Sequence, residues 1–360
     1  MAYFIIGILM IVSIFNIILK SKAVYITVVI NKSTKKINVG VLLSFCILLF
    51  IMVFQSETSN GDLMNYLNSY NRMGALSYKN FILNFIAIKD PVYHFVGKLF
   101  HSVNLSFFWW KFAISFFYCF SAFRLILKYS SNYTISVIIF CTLGYYSFCF
   151  SALRQIIAIS FILLSYDYIK EKKFIKFALF VFFAACFHYT AFIFIISYPI
   201  YNKLKVDWKN ILIFLISGTA MYILGNRVLS IVFMFLTGRR FASYAQSNTT
   251  LNISGFIIFG CILIFYMFYS VKIKPLENNN VNIIYFLIIG TFIRLMATYL
   301  AELFRVAMYF DIFCIIAVPE ACTSEKEYKI LVSMLISLLF VIYYFYSPDG
   351  NLSNHIFYSI

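Results

Sequence analysis

Apolar runs of about 18 residues, close to the length needed to cross a bilayer as a helix, recur from one end of this chain to the other. Within lipid no water can satisfy a backbone N–H or C=O, so runs of this kind fold as helices that close their own hydrogen bonds. They lie near 2–19, 37–54, 105–127, 133–150, 154–169, 209–225, 253–271, 281–299, 303–319 and 328–346. Charged residues make up only 12% of the 360 positions, roughly half the share of a soluble domain. The expected fold class is therefore all-α: a polytopic integral membrane protein with about 12 transmembrane helices. It forms one transmembrane domain over 1–360, with long outer loops at 55–104 and 226–252. The first run, Ala2 to Leu19, lacks a basic leader and a small-residue cleavage site and reads as a retained span. No internal repeat stands out.

The segment 174–201 has lysines on both sides, with Lys170, Lys172, Lys173 and Lys176 before it and Lys203, Lys205 and Lys209 after it. Cytoplasmic loops are enriched in lysine and arginine, and a single crossing cannot put both flanks on that side. A hairpin of two short helices can, with its tip near CFHYT (Cys186 to Thr190); one long tilted helix with a basic outer loop is the alternative. The segment 91–103, PVYHFVGKLFHSV, is too short and polar to span and reads as an outer interfacial or re-entrant helix.

The net charge of +16 would suit nucleic acid in a soluble protein. Here it fits lysines facing anionic lipid, so membrane lipids rather than nucleic acid are the expected partners. The eight cysteines form no CxxC and no Cys/His cluster; Cys46, Cys119, Cys141, Cys186, Cys261 and Cys314 read as packing residues. No metal and no cofactor is expected.

The basic residues divide by side. Lysines gather at the cytoplasmic ends. Of eight arginines, seven fall at outer ends (Arg72, Arg154, Arg227, Arg239, Arg240, Arg294 and Arg305) and only Arg124 falls inside. Arginine's planar fork of donors matches phosphate and carboxylate bidentately, so several arginines at one face point to an anionic ligand, diphosphate first. The bland reading is that each arginine snorkels or pairs locally, as Glu302 and Arg305 can at three-residue spacing.

Glu57, Asp62, Asp90 and Glu302 are nearly all the outer carboxylates. Asp62, Tyr66 and Tyr70 recur at four-residue spacing and share a helix face. A carboxylate beside a phosphate site can take the proton from a sugar hydroxyl, although Asp62 after Gly61 also fits a helix cap. Asp90 precedes a proline. Arg154 and Gln155 sit between two apolar runs. Arg240 and Tyr244, and Arg305 and Tyr309, are each one turn apart, with Asp311 inside a span. His188 at the hairpin tip is the rival base, though a lone histidine among aromatics is more often a packing residue.

Four stretches together resemble the EpsG-like branch of bacterial polysaccharide polymerases, which includes Wzy-type O-antigen polymerases. They are GDLMNYLNSY, SALRQIIAISFILLSYDYIKEKKFIKF running into CFHYTAF, RFASYAQ, and RVAMYFDIFCIIAVP, in that order over about 60–320. KDP stands where relatives often carry Glu-Pro. The resemblance implies a GT-C-like arrangement in the bacterial inner membrane with its site at the outer face. It implies a metal-independent transfer of a growing glycan from undecaprenyl diphosphate to a hydroxyl of the next lipid-linked repeat unit, with a chain-length regulator as a further partner. On this reading Asp62, His188 and Arg154 are the candidate catalytic residues. Arg154, Gln155, Arg239, Arg240, Tyr244, Arg294, Arg305, Tyr66, Asp90 and Tyr309 are the substrate-binding candidates. An O-antigen ligase, a polysaccharide flippase and an acyltransferase using His188 are the competing readings.

Overall fold

The computed structural model describes residues 25–30, 33–59, 61–85, 88–225, 253–272, 280–323 and 329–346. The first expected span, the loop at 226–252 with Arg227, Arg239, Arg240 and Tyr244, and the last residues lie outside that set. The described chain is helical apart from an antiparallel hairpin of β1 (Tyr25–Ile30) and β2 (Ser33–Asn38), paired from Tyr25 with Asn38 to Ile30 with Ser33. That hairpin falls where sequence suggests a plain connecting loop.

Helix α1 (Val39–Val53) follows, then α2 (Gly61–Ala75), α3 (Tyr78–Leu83), α4 (Pro91–Ser102), α5 (Phe107–Tyr129) and α6 (Tyr133–Thr142). Next come α7 (Leu153–Lys170), α8 (Phe174–Phe187), α9 (Ser197–Lys203), α10 (Trp208–Ile223) and α11 (Ile253–Lys272). The chain continues with α12 (Ile284–Met296), α13 (Leu303–Asp311), α14 (Cys314–Thr323) and α15 (Lys329–Tyr346).

Several runs that read as continuous are broken. After α6 the chain turns through Gly144 at φ 82°, a conformation open to glycine, and resumes as a 3-10 turn at Ser147–Phe150. The run 303–319 splits into α13 and α14, bent by 45° at Asp311. As a result α5 is the one described helix long and apolar enough to cross a bilayer unaided, and α13 with α14 pass together. Apolar helical stretches of 10–17 residues fall at α1, α6, α8, α10, α11, α12 and α15, while α7 carries Arg154, Asp167 and Lys170 within 18 residues.

The segment 174–201 folds back on itself. Phe174 and Tyr198 rings lie 5.1 Å apart, and Phe177 and Phe194 6.0 Å. On one straight helix residues 174 and 198 would be about 36 Å apart at 1.5 Å per residue. The turn is at His188, which ends α8 and starts a 3-10 stretch at Tyr189–Ile196.

Large apolar side chains face outward on many helices, among them Leu43, Phe116, Phe182, Ile216, Phe268 and Leu339. Polar groups collect at the two ends of the bundle. At one end Asp167 accepts from Arg124, from Lys128 at 2.9 Å and from Tyr129 at 2.5 Å. Lys170 donates to Asn280 there, and the Asn280 amide donates to Glu320 at 3.0 Å. Arg124 thus sits at the end opposite Arg72, Arg154 and Arg305. Between the ends, Arg294 on α12 pairs with buried Asp311, which also accepts from Tyr145 at 2.8 Å. Gly290 permits this approach, since a Cβ there would lie 2.8 Å from that of Asp311. All eight cysteines are free thiols.

Candidate functional site

At the end opposite Asp167, α2, α4, α7 and α13 enclose a cleft of about 450 Å³. It is lined by Asp62, Asn65, Tyr66, Asn68, Ser69 and Arg72 from α2, His94 from α4, Ser151 and Arg154 at the start of α7, and Arg305 from α13.

Helix α2 is held in place along its length. Its C-terminal carbonyls, which have no partner within a helix, are capped by Lys98: the buried ammonium donates to Gly74 O at 3.0 Å and to Leu76 O. Tyr70 turns inward and donates to Leu105 O at 2.7 Å. Gly74 lets α4 come close, since a Cβ there would meet the His101 ring at 2.3 Å. The opposite face, at spacings of three and four from Asp62 to Arg72, is left to the cleft.

Helix α4 begins at Pro91, and Asp90 before it adopts φ 53°. A left-handed residue costs energy unless it is asparagine, aspartate or glycine, and Asp90 uses the position to bring its buried carboxylate to Arg154, Oδ2 to guanidinium nitrogen 2.7 Å. Burial pushes the Asp90 carboxyl above its usual range, against the pull of Arg154 and Lys89. The Arg154 guanidinium also lies 5.6 Å from the Tyr66 ring. Because Arg154 is in the first turn of α7, the positive end of that helix faces the cleft beside it. Next to it, Gln155 is buried and donates to the backbone oxygen of Arg305 at 2.6 Å, which ties α7 to α13. Arg305 lies 3.1 Å from Glu302 as an ion pair by distance, although its Nε has no hydrogen bond of good geometry.

Of the outer carboxylates, Glu57 is buried against Lys111 at 3.2 Å, Asp90 faces Arg154 and Glu302 faces Arg305. Asp62 is exposed and lines the cleft. His94 is pulled down to about 4, by burial first and then by Arg154 and Arg72, so at neutral pH it is an uncharged hydrogen-bonding group.

The structure brings together Asp62, Tyr66, Arg154 and Arg305, with Asp90 and Gln155 directly behind. Three sequence candidates lie elsewhere. Arg294 does not line the cleft: it is committed to Asp311 within the bundle. Tyr309 is buried, its hydroxyl 3.1 Å from Thr190. His188 stands at the hairpin turn near the cleft without lining it, and its Nδ1 is buried with no hydrogen-bond partner. Sequence reasoning did not place Asn65, Asn68, Ser69, His94 or Ser151 in the site, and it counted Arg72 only among the outer arginines. The signal for the α2 members is legible in hindsight: Asp62, Asn65, Tyr66, Ser69 and Arg72 follow one helical face. Among the described residues no three His, Cys, Asp or Glu side chains are grouped to hold a metal ion.

The sequence pattern of the EpsG family matches residues 38–357. The chain belongs to the EpsG family. This is a Wzy-like, polymerase-type family, so the chain is a polymerase-like membrane protein of polysaccharide biosynthesis. No curated protein and no solved structure matches it. Among the described residues the cleft gathers cations, a carboxylate, and amide and hydroxyl side chains.

The depressed His94 has a consequence for stability. Its folded pKa lies below the ordinary histidine value, so the unfolded chain binds the proton first and stability is lost as pH falls from about 6.5 towards 4. Asp90, shifted upward, acts in the opposite sense, so the comparison must be with a variant. Thermal unfolding in detergent is expected to show a smaller loss between pH 7 and 4 in His94→Gln than in the wild type. An identical loss in both would assign the acid sensitivity elsewhere.

Proposed function

We propose that this EpsG-family protein is a multi-pass inner-membrane glycosyltransferase that joins undecaprenyl-diphosphate-linked repeat units at the outer face, with the whole chain forming one transmembrane domain. The observation that carries this reading is the cleft itself. Arg72, Arg154 and Arg305 converge with exposed Asp62 at one end of a bundle whose flanks are apolar.

In the reaction, a hydroxyl of the acceptor unit attacks the anomeric carbon of the donor glycan. The new C–O bond forms as the bond from that carbon to the diphosphate oxygen breaks. Asp62 takes the hydroxyl proton, and undecaprenyl diphosphate leaves with the electron pair. Arg154 and Arg305 receive the growing negative charge, and guanidinium groups already in place cost no reorganisation when it develops. The Asp90 carboxylate orients Arg154 before the anion arrives. Metal independence belongs to this proposal, with the arginines supplying the positive charge.

Deletion of the gene is expected to leave single repeat units on the cell surface and remove the long chains. Loss of all capped product instead would favour a ligase or a flippase. The proposed topology has its own test in a cysteine-free background. Cysteine at Ser102 or Asn104, near the cleft end, is expected to react with an impermeant maleimide on intact cells, while cysteine at Lys172 or Lys205 stays unlabelled. Labelling at Lys205 from outside would place both flanks of the α8–α9 hairpin on the wrong side.

A further inference from the structure

Arg294 and Asp311 take no part in the transfer step above, yet they form a charge pair inside the bundle. Asp311 is fully buried. It accepts from the Arg294 side chain and from the Tyr145 hydroxyl, the latter at 2.8 Å. The Arg294 guanidinium in turn lies over Phe259 of α11, 3.8 Å from the ring centroid. A buried ion pair is no better for stability than apolar packing of the same volume, because both charges lose their water. What it supplies is direction, since hydrogen bonds to a carboxylate fix angles that apolar contacts leave free.

The pair sits where two helical runs break. Asp311 ends α13 at the 45° bend into α14. Tyr145 lies in the turn after α6, next to Gly144 at φ 82°. Each break leads to one arginine of the cleft. Arg305 stands six residues before Asp311 on α13, and Arg154 stands nine residues after Tyr145 at the start of α7. The two segments touch on the way to the cleft. Phe148 packs edge-on against Phe304 with ring centroids 5.9 Å apart, and it lies 5.9 Å from the Arg305 guanidinium. Gln155 donates to the Arg305 backbone oxygen at 2.6 Å. The Tyr145–Asp311 bond closes this seam at its inner end.

We propose that Tyr145, Asp311 and Arg294 are positioning residues for glycosyl transfer: by locking the two breaks together they set the distance between Arg154 and Arg305 across the cleft. The inference rests on the polymerase reading. Preorganised cations stabilise a leaving diphosphate only when they already stand where its charge develops. A displacement of about 1 Å, caused far from the chemistry, can cost on the order of 10² in rate.

The test compares Tyr145→Phe and Asp311→Asn with wild type as full-length protein in detergent. Tyr145→Phe is the gentler change for the fold, since it keeps the buried ring and leaves the Arg294–Asp311 pair in place. Chain growth from lipid-linked repeat units, per folded protein, is expected to fall about tenfold in Tyr145→Phe and up to about 10²-fold in Asp311→Asn, with donor KM little changed. In an Arg305→Gln background Tyr145→Phe should cost much less, because the spacing it guards no longer matters. The spacing is also read without substrate, from spin labels at Ser151→Cys and Ala301→Cys after the accessible thiols Cys46, Cys186 and Cys261 are replaced. The distance distribution is expected to widen in both variants. Wild-type growth by folded Tyr145→Phe, or the same fold-loss with and without Arg305, overturns the proposal. So does a distance distribution identical to that of the wild type, and that result leaves the polymerase reading standing. If the wild type itself grows no chains, the polymerase reading falls and the positioning role falls with it, even where the distribution widens.

Discussion

Asp62→Asn is expected to slow polymer growth by about 10²–10⁴-fold while donor binding stays close to wild type, because a positioned base contributes on that scale to proton transfer. The proton of a sugar hydroxyl must leave as its oxygen bonds to carbon, and an amide cannot accept it. Asparagine keeps the shape and polarity of the side chain in the first turn of α2, so the cleft should survive. The choice of Asp62 follows from its exposed place in the cleft lining, where no other carboxylate of the described residues stands. Glu57 lies buried against Lys111, Asp90 orients Arg154 and Glu302 sits beside Arg305. His188 is the rival. It stands outside the cleft lining, and its buried Nδ1 has no group to orient the ring, whereas histidine bases are normally held by such a partner. The measurement is chain growth from lipid-linked repeat units, with donor binding determined separately. Near wild-type growth by Asp62→Asn, with His188→Gln binding donor but making no chain, would give the base role to His188.

Much of the helix placement was legible because apolar runs and lysine flanks are strong, additive signals. The expected spans at 37–54, 105–127, 154–169, 209–225 and 253–271 correspond to α1, α5, α7, α10 and α11 within a few residues. The hairpin at 174–201 followed from lysines on both sides, and the ring contacts across it agree. The other breaks were not legible. Gly144 and Asp311 interrupt stretches whose hydropathy is uniform, and a hydropathy pattern carries no record of where a backbone turns once it is buried. Expected full-length spans therefore became shorter pieces at 133–150 and 303–319. The β1–β2 hairpin was missed because a segment rich in lysine and small polar residues reads as a loop.

At the site, the arginine asymmetry was informative but coarse. It grouped residues by the end of the bundle they occupy, and that is why it gathered Arg72, Arg154 and Arg305, which line the cleft, and also swept in Arg294, which does not. Whether an arginine near a helix end turns to a shared cleft or to a buried carboxylate depends on what the neighbouring helix offers, here Asp311 across Gly290. The face of α2 shows the converse. Asp62 and Tyr66 were singled out for their chemistry and Arg72 was counted with the outer arginines, while Asn65 and Ser69 on the same face were passed over because polar residues in an outer loop look unremarkable until a helix aligns them. His94 could not be found from sequence at all, since its role depends on α4 packing against α2.

Arg154→Lys is expected to lower the rate of chain growth by about 10²–10³-fold, equivalent to roughly 2.7–4 kcal/mol of transition-state stabilisation, despite keeping the charge. The guanidinium makes its contact to Asp90 through one nitrogen and has others left for a ligand, in a plane fixed by Asp90 and the Tyr66 ring. An ammonium is a compact, strongly hydrated point charge and cannot hold a carboxylate and a phosphate in one plane. The comparison is with Arg124→Lys at the far end of the bundle, where Lys128 and Tyr129 also donate to Asp167 and a lysine replacement leaves the carboxylate satisfied. That variant should make chains of normal length. Asp90→Asn supplies the coupling: asparagine tolerates φ 53° as aspartate does, so the backbone is preserved while the carboxylate that orients Arg154 is removed. If Asp90 acts through Arg154, its substitution should cost much less in an Arg154→Lys background than in the wild type. Full additivity would show that the two act separately, and normal chain length from a correctly inserted Arg154→Lys protein would remove Arg154 from the diphosphate site.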